Sequence, residues 1–560
     1  MESQIQLAED YYLANFNRLI EHAQAWYNDI LHISELEWIS AYRSLDKASQ
    51  CLLVRLYSRK GSLFRSDKLI YNEIPSIPLA LEQLAAKDFI SLNPAISEQQ
   101  LAQTLLTKTE LTPLFPKRFL DHSRSLKKPQ MVELLTDEPF ERFDELSFVV
   151  IELHFAEMID LLLALFFANT HQDLTQFVLD DLGLNQFENY PLSIERRFFN
   201  HRDQVEQLLA LSKLADSYWN ADRKQLKVVK QLAGAIPAVI DHPYIERKRQ
   251  HLINDIARDF ERLGEFETAL NLFKQTSLPP SRERQARIYD KLEQNDKFSD
   301  VVTLILNQPS DISELEISQK LEQRLLRKQG VKITRVAKPT YKEHHLALNL
   351  SQQRVELAVK HHFEDQGWQV FYSENSLLNG IMGVALWDAI FAPVEGAFIN
   401  AYQFKPLDLY HKDFYAKRSK QINRALDKLA QGNHQFVIDN YHNKFGISNP
   451  FVVWSHFTEE LLSLALSTVK PELLVNLIKV QLSDLKLYRN GMPDLIAFKD
   501  GQFEWIEVKG PGDKLQDNQI RWFKQFSRLG VPFSVCYVDN NPDTNRICEA
   551  VEATKDKPKM

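Results

Sequence analysis

The sequence predicts a multidomain protein that is mostly α-helical in its N-terminal and middle regions and ends in an α/β domain. Three observations support this prediction. A chain of 560 residues exceeds the usual size of one domain and favours about three or four. Helical patterns prevail to about residue 310. Near the C-terminus, two apolar runs flank Asp500-Gly501, which is the pattern of a β-hairpin.

The composition is that of an ordinary globular protein, with 44% apolar and 25% charged residues. The three cysteines, Cys51, Cys536 and Cys548, lack paired spacing, so we expect neither a disulfide framework nor a zinc site. The start of the chain lacks a secretory signal, and the most apolar run, residues 161–167, is shorter than a membrane span. We therefore expect an intracellular protein without membrane attachment, in the cytoplasm or nucleoid of a bacterium or in the nucleus of a eukaryote.

Residues 1–225 form the first predicted region, which is helical and carries basic segments. One of them carries the cations Arg55, Arg59, Lys60 and Arg65. These cations either contact phosphates or interact favourably with the dipole at a helix C-terminus. The chain has a net charge of −8, so any nucleic-acid surface has to be a local patch of this kind. Within residues 77–140, a second basic run precedes a short amphipathic helix, as in winged-helix or SAP modules or in a plain linker.

Residues 226–310 have the pattern of paired helices, in which Gly264 separates two amphipathic segments and the small Ala257 and Ala269 allow close packing. They resemble degenerate tetratricopeptide repeats without a strict period. Such helix pairs bind partners or act as spacers. Residues 311–350 are polar with little periodicity, and we predict that they link the helix pairs to a C-terminal region at 351–545.

The predicted C-terminal hairpin opposes two carboxylates. Counting outward from an Asp500-Gly501 turn predicts three opposed pairs, which are Phe498 with Phe503, Ile496 with Trp505, and Asp494 with Glu507. Side chains alternate along a strand, so Lys509 shares the face of Asp494 and Glu507. Two like charges directly opposed destabilise a sheet, whereas a hard divalent cation binds both carboxylates. The alternative is an exposed hairpin whose charges are solvated.

The residues around this acidic pair resemble the virus-type replication–repair nuclease domain (VRR-NUC), a branch of the PD-(D/E)XK superfamily. The resemblance rests on residues 491–495 (GMPDL) and 507–511 (EVKGP) and extends through Asp513, Leu515, Gln519 and Trp522. It implies a restriction-endonuclease-like α/β fold with its core at about residues 430–540. It also implies metal-dependent hydrolysis of nucleic-acid phosphodiesters.

A second resemblance covers essentially the whole chain. Residues 52–65, 374–388, 402–403 and 406–409 resemble the Fanconi-anaemia-associated nuclease family of bacterial type. This resemblance implies that Glu374 completes the acidic set. It further implies a 5′ flap endonuclease and 5′-to-3′ exonuclease of the phosphodiesterase I type, acting in interstrand cross-link repair. Some members carry lysine and arginine at the positions of Asn518 and Lys486, so the binding of a 5′-terminal phosphate stays open.

Together the resemblances imply a site for one or two Mg²⁺ or Mn²⁺ ions. The expected metal ligands are Glu374, Asp494, Glu507 and the backbone carbonyl of Val508. Lys509 is expected to orient the attacking water or to stabilise charge on the phosphate. The expected DNA contacts are Lys486, Arg489 and Gln519 near the site, and Arg55, Arg59, Lys60 and Arg65 in the N-terminal DNA-binding region.

The expected partner is branched or flapped double-stranded DNA, bound by a monomer or weak dimer, with the helix pairs serving as a rigid arm. Two alternatives stay open. One is a Holliday-junction resolvase, because separate VRR-NUC domains can act as dimeric resolvases. The other is a non-catalytic DNA-bound repair scaffold that keeps only the nuclease fold.

Overall fold

The computed structural model describes residues 8–119, 126–172, 185–333, 339–351 and 353–541. It divides into two compact units. The first comprises the described residues of Met1–Leu184 and Phe199–Lys213, and the second those of Asn185–Phe198 and Leu214–Met560. Cys548 and part of the basic run that precedes residue 130 lie outside the described residues.

The first unit combines helices with a small antiparallel sheet. The sheet consists of β1 (Leu63–Arg65), β2 (Ile90–Leu92) and β3 (Val150–Leu153) in the order β1-β3-β2. The α-helices of this part of the chain are Tyr11–Tyr27, Ile33–Arg43, Lys47–Tyr57, Ile77–Ala86, Glu98–Thr104, Lys108–Leu114, Lys128–Glu133 and Glu157–Phe167. The last of these carries the most apolar run of the sequence and is buried along most of its length, as predicted.

Paired helices open the second unit. Its helices up to residue 328 are Leu226–Gly234, Pro243–Arg262, Phe266–Phe273, Ser281–Lys291, Asn295–Asn307 and Ile312–Lys328, while Arg202–Asn220 has residues in both units. The predicted helix, turn and helix around Gly264 are confirmed, and this glycine has a φ of 84°. Ala257 and Ala269 are fully buried where the two helices pack. The assignment to tetratricopeptide repeats stays a prediction.

A five-stranded mixed sheet forms the C-terminal part of the second unit. Its strands are β4 (Lys342–Leu348), β5 (Gln369–Tyr372), β6 (Leu495–Lys499), β7 (Gln502–Lys509) and β8 (Phe533–Asn540), in the order β4-β8-β7-β6-β5. β6 runs antiparallel to both β5 and β7, whereas β8 is parallel to both β7 and β4. The α-helices around this sheet are Val355–Glu364, Leu377–Ala385, Trp387–Ile390, Phe414–Ala430, Gln435–Lys444, Glu459–Thr468, Pro471–Ser483, Leu485–Tyr488 and Asp517–Leu529.

The two faces of this sheet bury different cores. Helix Val355–Glu364 covers one face, where Ala497 and Ile506 are buried. The other face packs against helix Asp517–Leu529 and the remaining helices through Ile496, Trp505 and Trp522. Because side chains alternate along a strand, Glu507 and Lys509 share the face of Trp505. The candidate site residues Glu507 and Lys509 therefore point toward helix Asp517–Leu529.

The segment 311–350, predicted to be a linker, instead contains helix Ile312–Lys328 and edge strand β4. The helix escaped prediction because its buried stripe is half polar, being formed by Glu314, Ser318, Leu321 and Leu325. Glu314 is satisfied there by an ion pair with Arg282. The strand escaped because β4 pairs only with β8, far along the chain, and exposes alternate polar side chains.

Among the described residues, no single helix is long and apolar enough to cross a membrane. The bent helix pair Glu459–Thr468 and Pro471–Ser483 meets the length and composition criteria when its two members are taken together. Several of its apolar side chains belong to the core of the second unit, including Leu461, Leu466 and Ile478.

Candidate active site

The predicted hairpin is confirmed in its turn and its register. Asp500 and Gly501 have φ values of 51° and 71°, the left-handed geometry that a type I′ turn requires. Phe498 pairs with Phe503 and Ile496 with Trp505, as predicted. The ladder ends at Leu495 and Ile506, so Asp494 lies one residue outside it. Its Oδ2 accepts a hydrogen bond from the backbone N–H of Val508 at 2.8 Å, which holds this carboxylate at the end of β7.

Glu507 is the most deeply buried carboxylate of the site, with 1% of its surface exposed. Its Oε1 accepts hydrogen bonds from Lys509 Nζ at 2.6 Å and from Gln519 Nε2 at 2.5 Å. Its Oε2 is buried and has no hydrogen-bond partner among the described residues. A buried oxygen of this kind costs free energy unless a cation or a donor reaches it.

Burial of two carboxylates at one place changes their protonation. Burial raises the pKa of Glu507 to about 8, and the neighbouring Asp494 adds to the rise while Lys509 opposes it. Burial likewise raises the pKa of Asp494 to about 6, against the hydrogen bond from Val508, and Glu374 adds to the rise. A divalent cation would reverse both shifts, because it stabilises the charged form of each carboxylate. The residues present thus fit a hard metal ion.

Glu374 reaches the same place from the loop that follows β5. The backbone N–H groups of Ser373 and Glu374 donate to the carbonyl oxygen of Asp494 at 2.8 and 3.2 Å. The hydroxyl of Tyr372 donates to Glu374 Oε2 at 2.5 Å. Among the described residues, no three His, Cys, Asp or Glu side chains lie close enough together to hold an ion. Tyr372 donates to Oε2 of Glu374, and Lys509 donates to Oε1 of Glu507.

Comparison with known proteins decides the family. The model described as "FAN1, HTH domain" matches residues 10–91, and the VRR-NUC domain model matches residues 430–540. A Fanconi-associated nuclease 1 homolog from Pseudomonas aeruginosa is 34% identical over 547 residues, which cover 94% of this chain and 95% of the relative. The chain belongs to the Fanconi-associated nuclease 1 family. A homolog from Arabidopsis thaliana is 24% identical, covering 94% of this chain and 67% of the relative.

Solved structures agree with this assignment. A structure of paFAN1 bound to 5′ flap DNA (2 nt, with gap) has a TM-score of 0.83 at 32% identity, covering 96% of this chain and 99% of that chain. A second, bound to 1 nt 5′ flap DNA with gap, has a TM-score of 0.82. The protein is therefore a structure-specific, divalent-metal-dependent nuclease, which confirms the predicted family and enzyme class. The alternative of a non-catalytic scaffold is set aside.

A buried amide network ties the two segments that carry Glu374 and Asp494. Asn379 Nδ2 donates to the carbonyl oxygens of Asn375 at 2.6 Å and Arg489 at 2.8 Å. Its Oδ1 accepts from Gln481 Nε2 at 2.6 Å. The loop before Asp494 and the loop that carries Glu374 are thus fastened to one side chain. The sequence offered no signal for this role, because a lone asparagine in a helix has no distinguishing pattern.

Gly491 lets the loop before Asp494 approach helix Asp517–Leu529 closely. Its φ is 91°, and a Cβ at this position would lie 2.8 Å from the backbone carbon of Asn518. Trp522 Nε1 donates to the carbonyl oxygen of Asn490 at 3.1 Å, on the same helix–loop contact. A side chain at residue 491 would therefore both clash and strain the backbone.

Gln519 lies beside Glu507, and its contact with DNA or metal-bound water stays a prediction. Its Nε2 donates to Glu507, and its Oε1 accepts from the backbone N–H of Gln516 at 2.8 Å. The side chain therefore joins the start of helix Asp517–Leu529 to the buried carboxylate. Of the predicted buried face of this helix, Phe523 and Phe526 are fully buried.

Lys486 and Arg489 are both exposed beside the loop that leads to Asp494. Arg489 Nη1 donates to the hydroxyl of Tyr410 at 2.5 Å. Helix Pro243–Arg262 adds cationic neighbours that sequence reasoning missed. Burial lowers the pKa of His251, and the charges of Arg247 and Lys486 lower it further. These groups thus form a local basic region in a chain of net negative charge.

Sequence reasoning also missed Glu356, a half-buried acid in the first turn of helix Val355–Glu364. Burial is the main cause of the raised pKa values of Asp494 and Tyr372, and the charge of Glu356 contributes to both. Glu356 therefore belongs to the electrostatic surroundings of the site. An acid in a first helical turn is too common to have marked it.

The predicted DNA contacts of the first unit differ in their surroundings. Arg65 is 8% exposed and is held by Asp67 and Glu110, and Arg55 is paired with Glu73 at 2.7 Å. These two arginines are committed to internal ion pairs, which give no support to the expectation that they bind DNA, so that expectation stays a prediction. Arg59 and Lys60 are exposed and remain candidates. The "FAN1, HTH domain" match includes both.

Three arginines of the helix pairs are committed to ion pairs. Arg282, Arg284 and Arg287 each form an ion pair with a glutamate within the second unit, and those partners are Glu314, Glu261 and Glu283. A role of the paired helices as an arm that holds duplex DNA therefore stays a prediction and gains no support from these three arginines.

Proposed function

We propose that the protein is a 5′ flap endonuclease and 5′-to-3′ exonuclease that hydrolyses DNA with Mg²⁺ or Mn²⁺ in the repair of interstrand cross-links. The observation that carries the proposal is the buried, unpartnered Oε2 of Glu507 beside Asp494 and Lys509. The substrate is supported by the paFAN1 structures, which are bound to 5′ flap DNA. The mixed sheet with helices on both faces is consistent with the PD-(D/E)XK fold.

The expected ligands of one or two metal ions are the carboxylates of Glu374, Asp494 and Glu507 and the carbonyl of Val508. When bound, the ion supplies an activated water and polarises the scissile phosphate. The protein holds the ligands ready through short contacts, because the backbone of Glu374 is bonded to Asp494 and the N–H of Val508 to its carboxylate. Hard oxygen ligands of this kind suit Mg²⁺ and Mn²⁺.

Lys509 and Gln519 act on Glu507 and on the phosphate. Both donate to Oε1 of Glu507, so they fix the orientation of that carboxylate and leave Oε2 for the ion. Lys509 is 6% exposed, and a buried ammonium interacts strongly with developing negative charge. We assign Lys509 to orienting the attacking water or stabilising the pentavalent phosphate, and Gln519 to holding Glu507.

Phosphates of the substrate are assigned to two exposed regions. In the second unit, Lys486 and Arg489 lie beside the loop that leads to Asp494. In the first unit, Arg59 and Lys60 are the exposed cations of the predicted cluster. Each cation that contacts a phosphate releases counterions, so binding weakens as salt increases.

Cleavage of a 5′ flap tests the proposal directly. Wild-type protein, Lys509→Ala and the matched control Glu504→Gln are incubated with a flap substrate labelled at either end, in Mg²⁺, in Mn²⁺ or in EDTA. Glu504 lies on the same strand as Glu507 but on the opposite face, so its loss should leave cleavage intact. We expect metal-dependent cleavage near the flap junction by wild type and Glu504→Gln, and none by Lys509→Ala.

The same assay separates the open alternative. Two symmetric cuts in a four-way junction, with the flap left uncut, would identify a Holliday-junction resolvase and overturn the proposal. Cleavage in EDTA would overturn the assignment of the acidic set to a metal.

A further inference from the structure

Helix Phe414–Ala430 carries its cations on one side. They recur every three or four residues, which is the spacing that aligns side chains along an α-helix. We call this set the basic face, and its members are Lys417, Lys420, Arg424 and Lys428. The opposite side of the helix is buried through Phe414, Ile422, Leu426 and Leu429. The basic face therefore points away from the core.

Two members of the basic face are available to a partner. Lys420 and Arg424 are exposed, and among the described residues neither binds a carboxylate. Lys417 is paired with Asp413 at 2.7 Å. The face keeps a positive balance in a chain whose net charge is −8. Such a local patch on an acidic protein is an electrostatic site for a polyanion.

The basic face is held rigidly and is connected to the active-site loop. Arg418, which is fully buried, donates two hydrogen bonds to Asp408 at 2.7 and 2.8 Å. This pair fixes the segment before the helix, which also carries Tyr410. The hydroxyl of Tyr410 accepts from Arg489, and Lys405 Nζ lies 5.3 Å from its ring centroid. Arg489 in turn precedes Asp494 by one short loop.

We propose that the basic face binds the sugar–phosphate backbone of a double-stranded arm of the substrate, a role that rests on the proposed nuclease function. From Lys417 to Lys428 the face is about 16 Å long, and B-DNA carries roughly nine phosphate charges over that length. Sites for single strands interleave cations with aromatic side chains on which bases stack. The exposed aromatic of this helix, Tyr415, lies outside the face, with its hydroxyl bonded to Asn423. The face therefore suits a duplex backbone.

The test is the salt dependence of binding by Lys420→Gln/Arg424→Gln. Affinity for a flapped duplex and for a single strand of equal length is measured in EDTA, which prevents cleavage, over a series of salt concentrations. Losing two phosphate contacts should lower the slope of log affinity against log salt by about 1.8 on the duplex. The slope on the single strand should stay unchanged. Since neither side chain is paired with a carboxylate among the described residues, melting of the variant should match wild type.

Lys320→Gln/Lys332→Gln is the matched control, because both lysines are exposed outside the paired helices of residues 226–310 and, among the described residues, neither is paired with a carboxylate. It removes the same charge and should leave the slope as in wild type. An unchanged slope for Lys420→Gln/Arg424→Gln, or an equal change in the control or on the single strand, would overturn the proposal. Failure of wild type to cut the flap in Mn²⁺ would instead refute the proposed function. The salt dependence of binding would still test whether the basic face binds duplex DNA.

Discussion

Replacing Glu507 by glutamine should stabilise the metal-free protein, and more so at high pH. The pKa of Glu507 is raised in the folded protein to about 8, from an ordinary value of 4.5. Unfolding therefore releases a proton between those two values, and the folded state loses stability as pH rises through them. Glutamine mimics the protonated carboxyl at every pH. The variant should match wild type near pH 5 and exceed it at pH 8.5.

The magnitude follows from the size of the shift. One pKa unit corresponds to about 1.4 kcal/mol, so a rise from 4.5 to about 8 is worth about 5 kcal/mol once Glu507 is fully ionised. Since Glu507 is 1% exposed, solvent screening reduces this little. The melting temperature of the variant in EDTA at pH 8.5 should be higher by roughly 5–10 °C.

Scanning calorimetry in EDTA at pH 5 and pH 8.5 measures this effect, with Glu374→Gln as the control. Glu374 is exposed, so its replacement should shift melting by only a degree or two at either pH. With added Mn²⁺, wild type should melt at a higher temperature than Glu507→Gln, because the ion stabilises wild type and not the variant. Equal melting temperatures of wild type and Glu507→Gln at pH 8.5 would refute the raised pKa of Glu507. A melting temperature of the variant that is equally higher at pH 5 would refute it as well.

Four further outcomes are expected. Asp494→Ala should abolish flap cleavage and leave flap binding within a few fold, and wild-type activity in the purified variant would contradict its role. Glu374→Gln should lose turnover or weaken its dependence on Mn²⁺ while melting near wild type, whereas unfolding would make Glu374 a structural acid. Asn379→Ala should raise the Mn²⁺ concentration for half-maximal cleavage by about tenfold, and an unchanged metal titration would limit the amide network to stability. Reversing Arg59 and Lys60 to glutamate should flatten the salt slope on a branched duplex by about two units, with little change on a short single strand.

The sequence was sufficient for the hairpin and for the candidate catalytic residues at its end. Phe498 and Phe503 pair as counted from the Asp500-Gly501 turn, because a two-residue turn and a period of two leave one register. Glu507 and Lys509 share a face for the same reason. Folding does not require the charges of Glu507 and Lys509 at these positions, so the sequence indicated that both residues are candidates for a functional role.

Other features could not be predicted because they depend on distant partners. Strand β4 exists only through its pairing with β8, and the polar stripe of helix Ile312–Lys328 is tolerated because Arg282 meets Glu314 there. The basic composition around Arg65 predicted a DNA contact, yet Arg65 forms ion pairs with Asp67 and Glu110. The sequence shows which charges are present, whereas the fold determines which of them form ion pairs.

The sequence by itself determined the hairpin, and its resemblance to known nucleases indicated the family and the candidate acidic residues. Local geometry was enough for the hairpin, because a turn and an alternating strand act within a few residues of chain. The tertiary structure decided that Glu374 meets Asp494, that Asn379 fastens their two loops, and that Oε2 of Glu507 is left without a partner. Those facts arise from packing between segments far apart in sequence, where burial sets both the hydrogen bonds available and the protonation of each carboxylate.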